Sequence, residues 1–368
     1  MVFYYGAWKT ADPQRTASRL LALKDAIPAS GVPEKTEKTL LLATWNIREF
    51  DSPSYGDRED ECLYYIAEIC SHFDLIAIQE VREDLKALKR VRDFLGAGWD
   101  FIVSDVTEGT PGNRERMAFL YDSGKVRFNG IAGEIVMPPI EVQEDGRTVR
   151  YDPADQLYRT PYLVGFRSGW CTLMLCTVHI LYGEDKAEDP KRVREIELVA
   201  QFLAKRARER GQDYSNLILL GDFNIFGRGD VTMNKILEAG FEVPEELQSL
   251  PATNTGSKKR HYDQIAFMPI RKRMEPTGRA GIFNFFDVVY TDDDEAAYAG
   301  AMGEAYLKTS KGKERDADGR SSYYRTYWRT FQMSDHLPMW VELRTDFSRE
   351  FLADMVAGVN APKLPPKP

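Results

Sequence analysis

Short apolar runs that end in polar residues are the feature of this sequence that most limits its fold. The run "NLILLGDFN" begins at Asn216, while "TLLLATWNI" and "FDLIAIQEV" begin at Thr39 and Phe73. Each run has the length of a buried strand, and segments with helical periodicity lie between them. Strands and helices that alternate in this way are typical of α/β proteins.

The remaining runs extend this pattern. Between Trp99 and His179 they follow one another with short turns, which predicts antiparallel hairpins rather than helical crossovers. Near the C-terminus, "YDQIAFM", "FFDVVYT" and "HLPMWVEL" are predicted to be strands. Helices are predicted over residues 16–26, 58–72, 84–95, 190–210 and 231–239. Together these elements predict an α/β fold of two packed sheets with helices outside.

The chain is predicted to contain one core domain with additions. Residues 1–38 form an N-terminal extension, residues 39–345 the domain, and residues 346–368 a C-terminal helix and Pro-rich tail. Two insertions, near residues 134–157 and 292–329, are predicted to be long surface loops. The second contains the polar segment "KTSKGKERDADGR", and we expect its centre to be mobile.

Composition limits the partners and the compartment. The 368 residues are 43% hydrophobic, enough for a sizeable core, and the net charge of −8 excludes a surface that is basic throughout. A nucleic-acid partner would therefore need a local basic patch. The first twenty residues lack the apolar core of a secretory signal, and no window is apolar enough to span a membrane. We expect a cytoplasmic protein without a membrane partner.

Four cysteines occur, in two close pairs: Cys62 with Cys70, and Cys171 with Cys176. The first pair lies on a predicted helix, and the spacing of the second points its side chains to opposite faces of a strand. Neither pair is placed for a local disulfide, so all four are predicted to be reduced core thiols.

Polar side chains recur at the ends of the apolar runs. They are Asn46, Gln79, Glu80, His179, Asp222, Asn224, Asp263, Asp335 and His336. Any single Asp or Asn in this set is more simply explained as a turn residue, because its side chain can bond the nearby backbone. Glu80 and His179 are not explained in this way, because both follow fully apolar runs. Since neighbouring strands can end at one edge, these groups are predicted to share a cleft.

The types of residue in this set indicate a particular chemistry. Glu80, Asp335 and Asn46 offer hard oxygen ligands, which suit Mg²⁺, with Mn²⁺ or Ca²⁺ as alternatives, better than zinc. His179 and His336 can transfer protons near neutral pH if a carboxylate orients each ring. The candidate carboxylates are Glu115 for His179 and Asp263 for His336.

Six short motifs occur in the order "TWNI", "IQE", the His after an apolar strand, "GDFN", "YDQI" and "SDH". This series resembles the endonuclease/exonuclease/phosphatase superfamily of metal-dependent phosphodiesterases and phosphatases, from about residue 40 to residue 343. The resemblance is strongest to deoxyribonuclease I-like members. The segments "NIREF", "IQEVRED", "RERMAFLY" and "YRTPYLVGF" extend it and carry Arg48, Arg82, Glu115 and Arg159.

The resemblance implies a four-layer sandwich of two mainly antiparallel central sheets flanked by helices, with the active site at one edge. It implies that Glu80, Asn46 and Asp335 surround the metal. It also implies catalytic roles for six residues, with the histidines as an acid–base pair: His179, His336, Asp222, Asn224, Glu115 and Asp263. Candidates for phosphate contact are Arg48, Arg82, Arg159 and Tyr262, the last beside the basic segment "SKKRH".

These features predict a metal-dependent endonuclease that hydrolyses DNA, with RNA as an alternative partner. A lipid or inositol phosphate phosphodiesterase or phosphatase shares the same motifs and stays open, as does a non-catalytic DNA-binding relative. His179 argues against an abasic-site repair nuclease. The N-terminal extension and the 292–329 insertion have no counterpart in deoxyribonuclease I, and no Cys follows Cys176 to form the disulfide of that secreted enzyme.

Overall fold

The computed structural model of the chain describes residues 2–50, 52, 58–108, 113–144, 148–210, 214, 216–269 and 274–359. The Pro-rich part of the predicted tail lies outside these residues. The strands are β1 (Thr39–Phe50), β2 (Leu75–Arg82), β3 (Trp99–Val103), β4 (Glu115–Asp122), β5 (Val126–Glu134), β6 (Ile140–Glu144), β7 (Thr148–Asp152), β8 (Tyr162–Ser168), β9 (Cys171–His179), β10 (Leu217–Asp222), β11 (Asp263–Phe267), β12 (Glu275–Ile282) and β13 (Met339–Arg344).

The α-helices are α1 (Pro13–Ala29), α2 (Asp60–Ser71), α3 (Lys86–Leu95), α4 (Pro190–Arg210), α5 (Val231–Glu238), α6 (Glu245–Gln248), α7 (Glu295–Met302), α8 (Glu304–Leu307), α9 (Ala317–Tyr323), α10 (Arg329–Gln332) and α11 (Ser348–Ala357). A π-helix covers Tyr324–Trp328, and 3₁₀ turns cover Tyr5–Lys9, Phe285–Asp287 and Asp292–Asp294. None of the helices in the described part of the chain is long and apolar enough to cross a bilayer.

Two sheets form the centre of the molecule. The first has the strand order β12-β13-β1-β2-β4-β3, and the second has the order β11-β10-β9-β8-β5. Within them β1 runs parallel to β2 and β9 runs parallel to β10, while the other neighbouring pairs are antiparallel. The predicted pair of mainly antiparallel sheets is confirmed.

The alternating directions of the side chains along β1 explain how the sheets and helices form layers. Leu40 and Leu42 belong to the core between the sheets, whereas Leu41 and Ala43 belong to a second core that also contains residues of α1 and α2. Successive strand residues point to opposite faces, so one apolar run supplies both cores. Helix α4 covers the outer face of the second sheet with Ile196. The order helix, sheet, sheet, helix gives the predicted four layers.

Most helices were predicted close to their observed bounds. The periodic apolar positions of α4 predict Pro190–Arg210, which is the observed helix. In the N-terminal extension, α1 is longer than predicted because Pro13 occupies its first turn and the Asp12 side chain accepts a hydrogen bond from the Arg15 amide. All four cysteines are buried free thiols, as predicted.

Three predictions of secondary structure were wrong. The segment "FFDVVYT" is a 3₁₀ turn and bends rather than a strand, with Asn284 accepting a hydrogen bond from the Phe286 amide at its start. The 134–157 insertion contains the β6–β7 hairpin instead of being only a loop. The 292–329 insertion is largely helical, and its Tyr298 and Trp328 pack into the second core. Apolar residues at helical spacing anchor this insertion to the second core, although its central segment is polar.

The two parallel pairs bring four strand ends to one edge. Asp222 of β10 is in register with His179 of β9, and Asn46 of β1 is in register with Gln79 of β2. The sheets are joined at this edge because Asn46 Nδ2 donates a hydrogen bond of 2.9 Å to Asp222 Oδ2. The predicted convergence of polar strand ends therefore occurs between sheets as well as within them.

Gly221 provides a test of how this edge is held. Its φ of +129° is unfavourable for any other residue, and an added Cβ would collide with the Val178 carbonyl oxygen of the neighbouring strand. Gly221→Ala is expected to lower the free energy of unfolding by at least about 2 kcal/mol, measured by urea denaturation. Gly229→Ala is the control, because a Cβ added there would meet no described atom within 4 Å beyond its chain neighbours. Equal stability of the two variants would contradict this explanation.

Candidate active site

Asn46 is the central residue of the cleft. It is fully buried on β1, and its Nδ2 donates hydrogen bonds to Glu80 Oε1 at 2.8 Å and to Asp222 Oδ2 at 2.9 Å. Both N–H groups are thus used by carboxylates. Its Oδ1 is buried and has no hydrogen-bond partner among the described residues. Such an atom carries an energetic penalty unless a further group binds it.

Glu80 reaches the cleft through an irregular backbone. Its φ is +61°, and the pairing of β2 with β1 and β4 shifts register on either side of it. This left-handed conformation costs roughly 1–3 kcal/mol for a residue other than glycine. The carboxylate accepts hydrogen bonds from the Asn46 side chain and, at 2.7 Å, from the Glu49 amide. Burial and the nearby Glu115 carboxylate raise the pKa of Glu80 to about 7.

His179, at the end of β9, is held by Glu115 from β4 in the other sheet. Its Nδ1 lies 2.9 Å from Glu115 Oε2, and the Nε of Arg159 donates a 2.8 Å hydrogen bond to the same oxygen. Burial would raise the pKa of Glu115, but His179 and Arg159 outweigh it and lower that pKa to about 2. Burial and Arg159 would lower the pKa of His179, yet the Glu115 carboxylate raises it above its usual value.

His336 has the matching arrangement on the opposite side of the cleft. Its Nδ1 lies 2.9 Å from Oδ2 of Asp263, which begins β11. The Tyr262 ring packs against the imidazole with their centroids 5.4 Å apart. Burial would lower the pKa of His336, but Asp263 and then Asp222 raise it well above its usual value. A carboxylate at Nδ1 leaves Nε2 of each histidine directed toward the cleft.

The two Nε2 atoms meet at Asp222. Oδ2 of this carboxylate lies 3.5 Å from His179 Nε2 and 3.7 Å from His336 Nε2. Its other oxygen, Oδ1, accepts a 2.8 Å hydrogen bond from the Asn224 amide. Asn224 has a φ of +52°, and its side chain donates to the Ile180 carbonyl at 2.8 Å. Two imidazoles that approach one carboxylate oxygen in this way are placed to act on the same bound group.

The oxygen ligands predicted for a divalent cation are compatible with this cleft. Asn46 Oδ1 lacks a partner in the described residues, Glu80 lies against Asn46, and the half-buried Asp335 is close enough to raise the pKa of both Glu80 and His336. Across the described ranges, no three His, Cys, Asp or Glu side chains form a complete metal site. Mg²⁺ does not need one, because it is commonly held by one or two carboxylates, waters and substrate phosphate.

The four residues predicted to contact phosphate differ in their surroundings. Arg159 binds Glu115, and Tyr262 packs on His336, so both lie at the histidine pair. Arg82 donates to Glu49 Oε2 at 3.2 Å and to the Asn113 carbonyl at 2.7 Å, beside the Glu80 bend. The Arg48 side chain is directed instead away from the cleft, where its guanidinium contacts Tyr327 of the 292–329 insertion and Thr330 directly after it.

The sequence did not single out three residues that support the site. Ser334 Oγ donates to the Asn46 carbonyl at 2.6 Å and accepts from the amides of Arg48 and His336. Glu49 accepts from Arg82 and Asn113, and Asn113 also donates to Glu115 at 2.7 Å. Ser334 could have been found as the first letter of "SDH". Gln79, by contrast, lies between the sheets, where it binds Thr44 and Thr177.

Solved structures of other proteins share this architecture. The human Nocturnin catalytic domain with bound sulfate aligns with TM-score 0.51 and 12% identity, over 85% of this chain and 97% of that chain. Sphingomyelinase C from Streptomyces griseocarneus aligns with TM-score 0.51 and 11% identity, over 83% and 99%. A humanized D. rerio TDP2 aligns with TM-score 0.50 and 15% identity, over 84% and 100%. No family model and no curated protein matches the sequence. At these identities the likeness shows the fold alone.

The His336–Asp263 pair can be tested by titration. Asp263→Asn removes the largest influence that raises the pKa of His336, so burial then has more weight and the pKa is expected to fall. The measurement is a proton NMR titration of the histidine rings in the metal-free protein. Asp60→Asn, at an exposed carboxylate paired with Arg90, is the control. An unchanged His336 pKa in Asp263→Asn would refute the pairing.

Proposed function

We propose that this chain, which has the fold of the endonuclease/exonuclease/phosphatase superfamily, is a divalent-metal-dependent phosphoester hydrolase. The observation that carries the proposal is the approach of two carboxylate-bound histidines to one oxygen of Asp222, at 3.5 and 3.7 Å. Beside them, Asn46 Oδ1 is buried and has no partner in the described part of the chain. Proton-transfer groups thus lie next to a set of hard oxygen ligands.

The mechanism follows from the positions of these groups. A divalent cation bound by Asn46, Glu80 and Asp335 would stabilise negative charge on the phosphate. The imidazole nearer the attacking water accepts its proton at Nε2, and the other imidazole donates its Nε2 proton to the leaving oxygen. Glu115 and Asp263 hold the two rings in orientation and stabilise their charged forms. Asp222 and Asn224 orient the water and the phosphate.

DNA is the proposed substrate, with RNA as the alternative. Arg159, Arg82 and Tyr262 border the histidine pair and the Glu80 bend, where phosphate would bind. A D. rerio TDP2 of the same fold, aligned at TM-score 0.50, was solved with a single-strand DNA product. Much of the local positive charge is paired, however, since Lys258 and Arg260 both contact Asp185. We therefore expect moderate affinity with a marked dependence on salt.

The proposal predicts metal-dependent nicking of plasmid DNA that needs both histidines. His179→Ala and His336→Ala should each lower the rate by about two to four orders of magnitude, because each removes a proton-transfer group. His72→Ala is the matched control, because His72 lies at the end of α2 beside Glu68 and outside the cleft. The assay measures conversion of supercoiled DNA with Mg²⁺ and with chelator.

The same assay separates the alternatives. Near-full activity of His179→Ala or His336→Ala, or full activity with chelator, would refute the mechanism. Sphingomyelin, inositol phosphates and RNA are supplied in parallel at equal metal concentration. Cleavage of a lipid or inositol phosphate in place of nucleic acid would keep the mechanism and replace the substrate. DNA binding without hydrolysis of any of these substrates would indicate a non-catalytic relative.

A further inference from the structure

We propose that a groove on the 292–329 insertion binds a single strand of nucleic acid as it leaves the catalytic cleft. This inference rests on the proposed function and extends it to residues of the insertion. The groove has a volume of about 790 Å³, and its lining includes Lys308, Arg315, Tyr323 and Tyr327. A groove of this size is ample for a ligand that is recognised by its rings and phosphates.

A stack of aromatic and guanidinium groups forms one wall of the groove. The rings of Tyr323 and Tyr327 are stacked, with centroids 5.3 Å apart and planes inclined by 25°. The Arg315 guanidinium carbon lies 4.9 Å from the centroid of Tyr323, and that of Arg48 lies 5.5 Å from the centroid of Tyr327. These four side chains form one continuous stack, the ladder, in the order Arg315, Tyr323, Tyr327 and Arg48. Aromatic rings and arginine planes are the groups on which unpaired bases stack.

The ladder leads directly to the catalytic cleft. Arg48 is two positions after Asn46 on β1, and its amide donates to Ser334 Oγ, which also binds the His336 amide. Tyr327 lines the groove and also contacts Arg48, two positions after the proposed metal ligand Asn46. Tyr327 lies in the π-helix Tyr324–Trp328, and π-helical turns occur often at functional sites. A strand bound at the histidines could continue along this wall.

Charge favours a polyanion at this surface. Residues 304–329 contain seven Lys and Arg and four Asp and Glu in a chain whose net charge is −8. Arg325 and Arg329 pair with Asp292, and Lys308 pairs with Glu304, so the unpaired positive charge lies mainly on the other cations of this segment. Lys311 and Lys313 are exposed at the turn beside the groove, and neither forms an ion pair with the described residues. They are available to phosphates, unlike the paired Lys258 and Arg260. Stacking groups beside free lysines indicate single-stranded nucleic acid rather than a simple anion.

The test measures binding apart from hydrolysis. A fluorescein-labelled single-stranded oligothymidylate is titrated with the full chain in chelator, and fluorescence anisotropy gives the Kd. Tyr323→Ala is expected to raise the Kd roughly ten-fold or more, while Tyr323→Phe keeps the ring and the affinity. Lys311→Glu combined with Lys313→Glu should also raise the Kd and reduce its dependence on salt.

The control matches the charge change of the lysine variant. Lys9→Glu combined with Lys205→Glu alters two exposed lysines on the N-terminal 3₁₀ turn and on α4, and should bind like the wild type. Wild-type Kd values in both Tyr323→Ala and the Lys311/Lys313 variant would overturn the proposal. Loss of affinity in the lysine variant alone, with heparin competing fully, would indicate a general polyanion surface and would also overturn it. If Tyr323→Ala fails to fold, Tyr327→Ala, at the more exposed ring of the same stack, replaces it in this comparison.

Failure of the proposed function can be distinguished from failure of the groove proposal. Hydrolysis of bis(p-nitrophenyl) phosphate by the wild type tests the cleft alone, because this substrate is too small to occupy the groove as well. Absence of that hydrolysis, with DNA binding still dependent on Tyr323, would contradict the proposed function and leave the groove intact. Hydrolysis of this substrate, together with DNA binding that does not depend on Tyr323, would contradict the groove proposal and leave the proposed function intact.

Discussion

The hydrogen bonds of the Asn46 amide are the interaction on which the cleft depends. One N–H binds Glu80 in the same sheet, and the other binds Asp222 in the opposite sheet. Most of the remaining packing between the sheets is apolar, which sets a distance but not a register, and the other polar links across it include Gln79 to Thr177 and His179 to Glu115. A buried amide shared by two carboxylates does set the register. It aligns the end of β1 with the ends of β2 and β10, and the histidines follow from that alignment.

The electrostatics of the cleft explain why a cation is expected there. Four carboxylates lie within 4.0 Å of at least one of the two histidines, namely Glu80, Glu115, Asp222 and Asp263. Asp335 is near both Glu80 and His336. So many carboxylates repel one another, and burial strengthens that repulsion. His179 and Arg159 offset it around Glu115, while burial keeps the pKa values of Glu80 and Asp263 raised. A divalent cation next to Glu80 and Asn46 would relieve the remaining repulsion.

The strands and the positions of the polar residues could be predicted because the apolar runs end at those residues. Asn46, His179 and Asp222 each close such a run, so sequence alone indicated a shared edge. The bend that aims Glu80 could not be predicted, because a positive φ at a glutamate has no local signal and depends on the surrounding structure. The helical state of the insertion was missed for a related reason. Tyr298 and Trp328 pack into a core that also contains residues distant in sequence, among them those of α1, α2 and β1.

The roles of Glu49 and Asn113 show a further limit of the sequence. Neither stands at the end of an apolar run, and both act through contacts with Arg82 and Glu115 that form only in the folded chain. The direction of Arg48 is similar, since it depends on the position of the π-helix. Motifs indicate which residues a strand end presents. They do not indicate which residues from loops and other elements contact those side chains in the folded protein.

The central claim is that the polar strand ends of both sheets build one cation and phosphate site. Anomalous diffraction from crystals soaked with Mn²⁺ and a non-hydrolysable phosphorothioate dinucleotide tests this claim most directly. We expect a manganese peak bounded by Asn46, Glu80 and Asp335, with the phosphorothioate between His179 and His336. A peak at another surface, or a phosphorothioate bound away from both histidines, would contradict it.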